Sequence, residues 1–349
     1  MDKRQRIFDE DSKAVFETES IDWDKLRDSA ILITGATGLI GTTLLRALTY
    51  ANRTAGMNIH VTLLVRDRER ALKLLQEACI DCDAVDLLVG STENFKPEVY
   101  SFDYIIHAAC PTASAFFVGQ PVETIRTSVL GTMNLLETAR LSGVKGMVYL
   151  SSMEAYGEVL HENLLKESDL GYIDLENVRS SYSESKRMCE LLVKSYAVEY
   201  KISVCSLRLA QPFGPGIRYD DRRVFAMMAR CAMEGKNICL STAGKSRHGY
   251  LYSAQAVSAL LTVLLSGEQG SCYNAVNPAT YCSIYEMGQM VASALAGGKI
   301  SVEVAQSENT GFYPADSFLN MDISRISGLG WQPEGDLKML YTRMMEAMI

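Results

Sequence analysis

Ala30-Ile-Leu-Ile-Thr-Gly-Ala-Thr-Gly-Leu-Ile-Gly41 decides how this chain reads. A short aliphatic run, Ala30 to Thr34, ends in three spaced glycines, and a helical pattern follows from Gly41 to Tyr50. Gly35 permits a tight turn, Gly38 lets backbone approach a pyrophosphate, and Gly41 lets the helix pack closely on the strand. The helix N-terminus adds free N–H groups and a partial positive charge. An ordinary strand-to-helix turn would read similarly, but the strand–turn–helix context that the motif requires is present. Gly35, Thr37, Gly38, Leu39, Ile40 and Gly41 are therefore expected to contact a dinucleotide.

Outward from this loop the same unit recurs. Short apolar runs at His60–Val65, Tyr104–Ala108, Gly146–Leu150 and Ile202–Leu207 alternate with helical stretches such as Pro121–Ser142 and Ser183–Tyr200. Continuous apolar strands alternating with helices indicate a parallel sheet covered on both faces. After Arg208 the pattern changes to the turn-rich Gln211-Pro-Phe-Gly-Pro-Gly216 and then to mixed short strands and helices such as Tyr285–Leu295. The expected class is α/β: a Rossmann-like, doubly wound parallel sheet with a smaller C-terminal α/β substrate-binding lobe. Residues 1–28 read as a helical N-terminal extension, 29–208 as the dinucleotide-binding domain, and 209–349 mainly as the lobe, with 240–270 returning to the first domain.

Composition narrows the function classes. The 349 residues carry 34 Lys plus Arg against 42 Asp plus Glu, a net charge of -8, with 48% hydrophobic and 22% charged residues. That excludes disorder, collagen-like repeats and small disulfide scaffolds. A nucleic-acid partner would need a basic face, which the acidic balance argues against. Met1 to Lys13 has no apolar stretch behind its basic residues, so no secretory signal is read. The longest apolar run, Ala256–Leu265, is too short for a bilayer, so no membrane partner is expected. Nine cysteines then read as reduced thiols in a cytoplasmic protein. Cys79 and Cys82 form a lone C-x-x-C with no second pair or His, and no metal is expected.

The second strand ends Val65-Arg66-Asp67-Arg68. An acid at this tip accepts from the ribose 2′-OH of NAD, and an arginine pairs with the 2′-phosphate of NADP. Arg66 occupies the tip and Asp67 follows it, so NAD and NADP both stay open. Further on, Tyr182-Ser-Glu-Ser-Lys186 places Tyr182 and Lys186 four apart on one helix face, where an ammonium near a phenol is expected to lower the tyrosine pKa. Upstream, Tyr149-Leu-Ser-Ser-Met-Glu-Ala-Tyr-Gly157 follows a buried strand, placing its hydroxyls at the carboxyl edge where ligands bind in open α/β folds.

With these three motifs in this order, the chain resembles the extended short-chain dehydrogenase/reductase superfamily, in its nucleotide-sugar epimerase/dehydratase group. His107-Ala-Ala-Cys-Pro111, Pro121 to Leu136, Val178-Arg-Ser-Ser-Tyr182 running into Lys186, and Arg208 to Pro215 look most like UDP-glucuronate decarboxylases. The resemblance implies Tyr182 as base, Lys186 as the residue that holds the cofactor ribose, and Ser152 as the assisting hydroxyl. It implies a tightly bound NAD or NADP, with Arg66, Asp67, Ser91, Thr92, Ala108 and Ala109 also near it, and a nucleotide-sugar substrate near Gln211, Arg223 and Arg247. A homodimer pairing the helices of Pro121–Ser142 and Ser183–Tyr200 is implied as well.

The implied chemistry oxidises C4 of the sugar, and the 4-ketone then permits epimerisation, decarboxylation or elimination. Met153 stands where relatives usually carry Asp or Ser, so the acid that dehydratases use is missing, which argues against 4,6-dehydration; Glu154 remains as a base or orienting group, or as a turn cap. Gln211, Ser128 and Ser91 also depart from the group's Asn, Asn and Asp. Two further readings stand beside this one: an NADPH-dependent reductase of a keto sugar or other ketone, and a dinucleotide-sensing scaffold without chemistry. The intact Ser152, Tyr182 and Lys186 speak against the scaffold.

Overall fold

Ile31, Leu32 and Ile33 are wholly buried, Ile31 and Ile33 in one apolar cluster and Leu32 in another. Period-two alternation sends neighbours to opposite faces, so a strand without polar positions needs a layer on each side. The computed structural model describes residues 2–96, 100–305 and 316–348. Helix α1 (Lys3–Phe16) leads into β1 (Ala30–Thr34), α2 (Leu39–Ala55), β2 (His60–Val65), α3 (Arg68–Glu77), β3 (Asp86–Val89) and β4 (Tyr104–His107). Next come α4 (Ser114–Gly119), α5 (Pro121–Ser142), β5 (Gly146–Ser152), α6 (Ser180–Tyr200) and β6 (Val204–Leu209). The remainder carries β7 (Gln211–Phe213), α7 (Val224–Glu234), β8 (Ile238–Leu240), β9 (Arg247–Tyr252), α8 (Ser253–Ser266) and β10 (Cys272–Ala275). It ends with β11 (Asn277–Ser283), α9 (Ile284–Met290), β12 (Val302–Val304), β13 (Phe318–Leu319), α10 (Ser324–Ser327) and α11 (Leu337–Glu346).

Among the described residues seven strands form one sheet in the order β10-β6-β5-β4-β1-β2-β3, and every pairing in it is parallel. The chain direction of strand addition reverses between β1 and β4. Such a switch point opens a crevice at the carboxyl ends of the strands, where open α/β sheets take their ligands. The loops after β1, β4 and β5 all lie at that edge. A second sheet is built on β9, with β11 antiparallel to it and β7 and β13 parallel; β8 and β12 pair separately.

The stretch 240–270 divides between these layers. Its strand β9 belongs to the second sheet, while α8 packs against the main sheet and leads into β10 at that sheet's edge. Most of α8 is buried, so its apolar run is a core helix. No helix among the described residues is long and apolar enough to cross a membrane. The N-terminal α1 is more than an extension. It buries Ile7, Phe8 and Val15, and Asp11 accepts hydrogen bonds from Arg343 at 2.7 Å and from the Tyr252 hydroxyl at 2.9 Å. Arg46 of α2 lies 3.8 Å from the Phe8 ring centroid.

Candidate active site

The glycine loop has the shape its sequence requires. Gly35 has φ +73°, and a Cβ there would stand 2.6 Å from the Ala108 carbonyl, so the loop lies directly against the end of β4. The Ala109 amide donates to Thr34 Oγ at 3.1 Å and closes the same junction. At Gly41 a Cβ would meet the Ala36 backbone at 2.5 Å. At Gly38 it would meet only the Gly35 carbonyl, at 3.4 Å, an ordinary contact. Two glycines thus serve packing, and Gly38 is open. Gly38 caps α2 without a side-chain hydrogen bond, so the first N–H groups of this helix, those of Leu39, Ile40 and Gly41, have no intrahelical partner. Uncapped N–H groups behind an open glycine fit a pyrophosphate.

At the tip of β2 the two charged side chains separate. Asp67 caps α3, its carboxylate accepting from the Arg70 amide at 3.0 Å. Arg66 is exposed and forms no ion pair among the described residues. After β3, Ser91 opens a short turn and Thr92 is buried under α5, where a Cβ on Gly131 would lie 2.4 Å from its hydroxyl. His107 is packed, with Nδ1 2.8 Å from Thr34 Oγ and Nε2 3.1 Å from Thr132 Oγ; burial pushes its pKa down to about 3.

Tyr182 and Lys186 share the buried face of α6. The Tyr182 ring stacks on Phe117 with centroids 4.2 Å apart. Lys186 Nζ donates to the Leu150 carbonyl at 2.7 Å and lies 5.6 Å from the Tyr182 ring centroid. The expected lowering of the tyrosine pKa is not what the structure gives. Burial holds the Tyr182 phenol well above its ordinary value, Cys110 and Glu154 add to the rise, and Ser152 and Arg179 act against it. Desolvation penalises the phenolate, and the Lys186 ammonium is engaged with a backbone carbonyl instead. Ser152 closes β5 and its hydroxyl accepts from the Glu154 amide at 3.2 Å, fixing the turn.

Sequence reading missed one partner. Arg179, at the start of α6, grips Glu154 with both terminal nitrogens, at 3.0 and 3.2 Å, and Ser183 Oγ reaches the same carboxylate at 3.4 Å. Arg179 also lies 5.9 Å from the Phe117 ring centroid, beside the ring that covers Tyr182. The signal lay in Val178-Arg-Ser-Ser-Tyr182: an arginine one turn before the tyrosine must reach the carboxyl edge of β5. Among the proposed substrate residues, Gln211 sits half-exposed on β7. Arg223 is held by Asp221 at 2.7 Å, and Arg247 pairs with Glu286 at 3.0 Å while facing the Tyr281 ring. His248 is half-buried, its ring centroid 4.7 Å from that of Tyr250. Cys79 and Cys82 carry free thiols, and no metal-binding cluster occurs among the described residues.

Known proteins share this fold. The UDP-glucuronic acid decarboxylase 6 of Arabidopsis thaliana is 31% identical over 245 residues, covering 70% of this chain and 68% of its own length. A Thermotoga maritima UDP-glucose 4-epimerase solved with UDP-glucose matches at TM-score 0.74 and 19% identity, over 91% of this chain and 98% of that one. A Bacillus anthracis dTDP-glucose 4,6-dehydratase in complex with NAD matches at TM-score 0.72 and 19% identity, over 91% and 96%. Residues 31–277 match the NAD dependent epimerase/dehydratase family, and this chain belongs to that family.

Proposed function

We propose that this chain converts a nucleoside-diphosphate sugar through a transient 4-keto intermediate, in the manner of a decarboxylase. The observation that carries this is the set at the end of β5: Ser152 beside the buried Tyr182, Met153 in the next position, and Glu154 clamped by Arg179. Gly35, Thr37, Gly38 to Gly41, Thr92, Ala108 and Ala109 would line the dinucleotide crevice, and Lys186 would hold the ribose. The bound dinucleotide supplies a reversible store for one hydride.

As the phenolate, which a cationic nicotinamide ring nearby would favour against the phenol that burial alone holds, Tyr182 would take the proton of the C4 hydroxyl as hydride leaves C4, and Ser152 would hydrogen-bond the same oxygen while charge develops. The resulting 4-ketone makes a C5 carboxylate a β-keto acid; as carbon dioxide leaves, the electron pair of the broken bond passes into the 4-enolate, a proton from water adds at C5, and hydride returns to C4 while Tyr182 gives its proton back to the C4 oxygen. Met153 has no proton to give a leaving C6 hydroxyl, so elimination of water lacks its acid. Arg179, with both terminal nitrogens on Glu154, fixes that carboxylate at the carboxyl edge of β5. Gln211, Arg223 and Arg247 are the groups offered to the nucleotide end.

The test is a panel of nucleotide sugars given to the purified protein with NAD. Carbon dioxide released from UDP-glucuronate supports this reading; C4 inversion of a neutral sugar replaces it with epimerisation. A second reading, net reduction of a keto sugar by NADPH, is favoured by the free Arg66 and by the engagement of Asp67 with α3. It requires NADPH consumed in proportion to product.

A further inference from the structure

A cavity of about 620 Å³ opens behind α6, on the side of the helix away from Tyr182 and Lys186. Strand alternation places its floor. Cys205, Leu207 and Leu209 face one core layer, while Val204 faces the other, so Ser206 and Arg208 point with Val204 toward α6. Arg208 is fully used there, paired with Glu190 at 2.6 Å. Ser206 is only 2% exposed, lines the cavity, and its hydroxyl has no hydrogen-bond partner. Buried hydroxyls without partners are costly and uncommon, so this one points to a ligand group.

The rim carries four cations, Lys166, Arg187, Lys194 and Arg325. Arg187 is spent on the carbonyls of Ala155, Tyr156 and Gly171. Lys166 and Lys194 form no ion pair among the described residues, and Arg325 gives one nitrogen to the Cys272 carbonyl at 2.9 Å. In a chain of net charge -8 this is a local exception. Three carboxylates also line the cavity, and one of them, Glu190, is spent on Arg208 and Ser151. Glu167 accepts from the Asn274 amide at 3.0 Å, and Asp322 accepts from the Ser324 amide at 2.7 Å, each through one oxygen.

We propose that this cavity binds a small sugar phosphate, its phosphate held by Lys166, Lys194 and Arg325 and its hydroxyls by Ser206, Glu167 and Asp322. Cations alone would suit any anion; carboxylates beside them reject a bare anion and accept a polyol's hydroxyl protons. The volume is that of a small-molecule site, within roughly 300–1,000 Å³. The site is separate from the dinucleotide crevice but shares its framework. Glu190 receives the Ser151 hydroxyl, next to Ser152, and Arg187 ties the cavity wall to the turn that carries Glu154.

Calorimetric titration of the full chain with glucose 1-phosphate tests this directly. Saturable binding is expected, weaker by about tenfold or more in the Lys194→Met/Arg325→Met double variant, a loss of roughly 1.4 kcal/mol or more. Both side chains are exposed, so thermal unfolding should not move. Arg247→Met, on the other lobe, should bind as the parent does. Inorganic phosphate should bind more weakly than glucose 1-phosphate, and glucose not measurably. No binding at millimolar glucose 1-phosphate, unchanged binding in the double variant, loss of binding in Arg247→Met, or equal affinity for inorganic phosphate would each overturn the proposal.

Discussion

Glu154 and Arg179 stand 25 residues apart in sequence and meet in a bidentate pair, half-buried at the carboxyl edge of the sheet. A pair in that setting positions rather than stabilises, because partly solvated ion pairs contribute little to folding. Arg179→Met should therefore leave the melting temperature within about 2 °C and lower kcat by about 10- to 100-fold, the loss of one charge-assisted contact. Arg179→Lys should recover only part of it, since an ammonium cannot grip both oxygens. Tyr182→Phe should cost about 10² to 10⁴ in kcat, the usual worth of a positioned proton carrier, with the dinucleotide still bound. Single-turnover absorbance of the reduced nicotinamide and equilibrium binding separate these outcomes. The Tyr–Lys spacing was plain in the sequence because one helix sets it. The Glu154–Arg179 contact was not, because two elements and a turn of intervening chain decide it, and neither did the spacing reveal that burial would dominate the Tyr182 phenol.

At the scale of elements, the strand–loop–helix unit at β1 and α2 makes a differential prediction. Gly41→Ala places a methyl 2.5 Å from the Ala36 backbone and should cost about 1–3 kcal/mol of stability, as overpacking does. Gly38→Ala meets nothing closer than 3.4 Å, so the fold should hold while affinity for the dinucleotide falls about tenfold, roughly 1.4 kcal/mol. Denaturant melts and dinucleotide titration distinguish the two. A loss of stability from Gly38→Ala with binding intact would reverse these roles. The next strand end carries a pH signature. His107 is buried neutral with its pKa lowered from 6.5 to about 3, so the unfolded chain binds a proton that the folded chain refuses. The stabilisation is complete above pH 6.5 and fades as pH falls toward 3, by up to about 1.4 kcal/mol per pH unit. His107→Gln should flatten that slope by about one proton in urea melts between pH 4 and 7. These elements were legible because continuous apolar runs and glycine spacing are local signals. Boundaries shifted where caps decide them, as at Leu39 and Ser180.

For the whole molecule, α5 exposes Val122, Ile125, Leu130, Met133 and Leu141, and its neighbour α6 exposes Met188, Leu191 and Val198. Adjacent apolar stripes on one face mark an association surface. We propose a homodimer across these helices; light scattering should give twice the chain mass at micromolar concentration, and Leu130→Glu should give the monomer. A monomeric parent contradicts it. Length and composition announced a large sheet and a late lobe, yet they could not show α1 folded back onto α2 and α8. That contact joins the first helix to the last third of the chain through Asp11 and Arg343, a pairing no local pattern encodes. The central claim is that hydride leaves C4 and returns to it within one catalytic cycle. UDP-glucuronate deuterated at C4 tests it: the decarboxylated product should keep its deuterium at C4 with no net change in NAD. Product that has lost the label, or net reduction of NAD matching the product formed, would contradict the account.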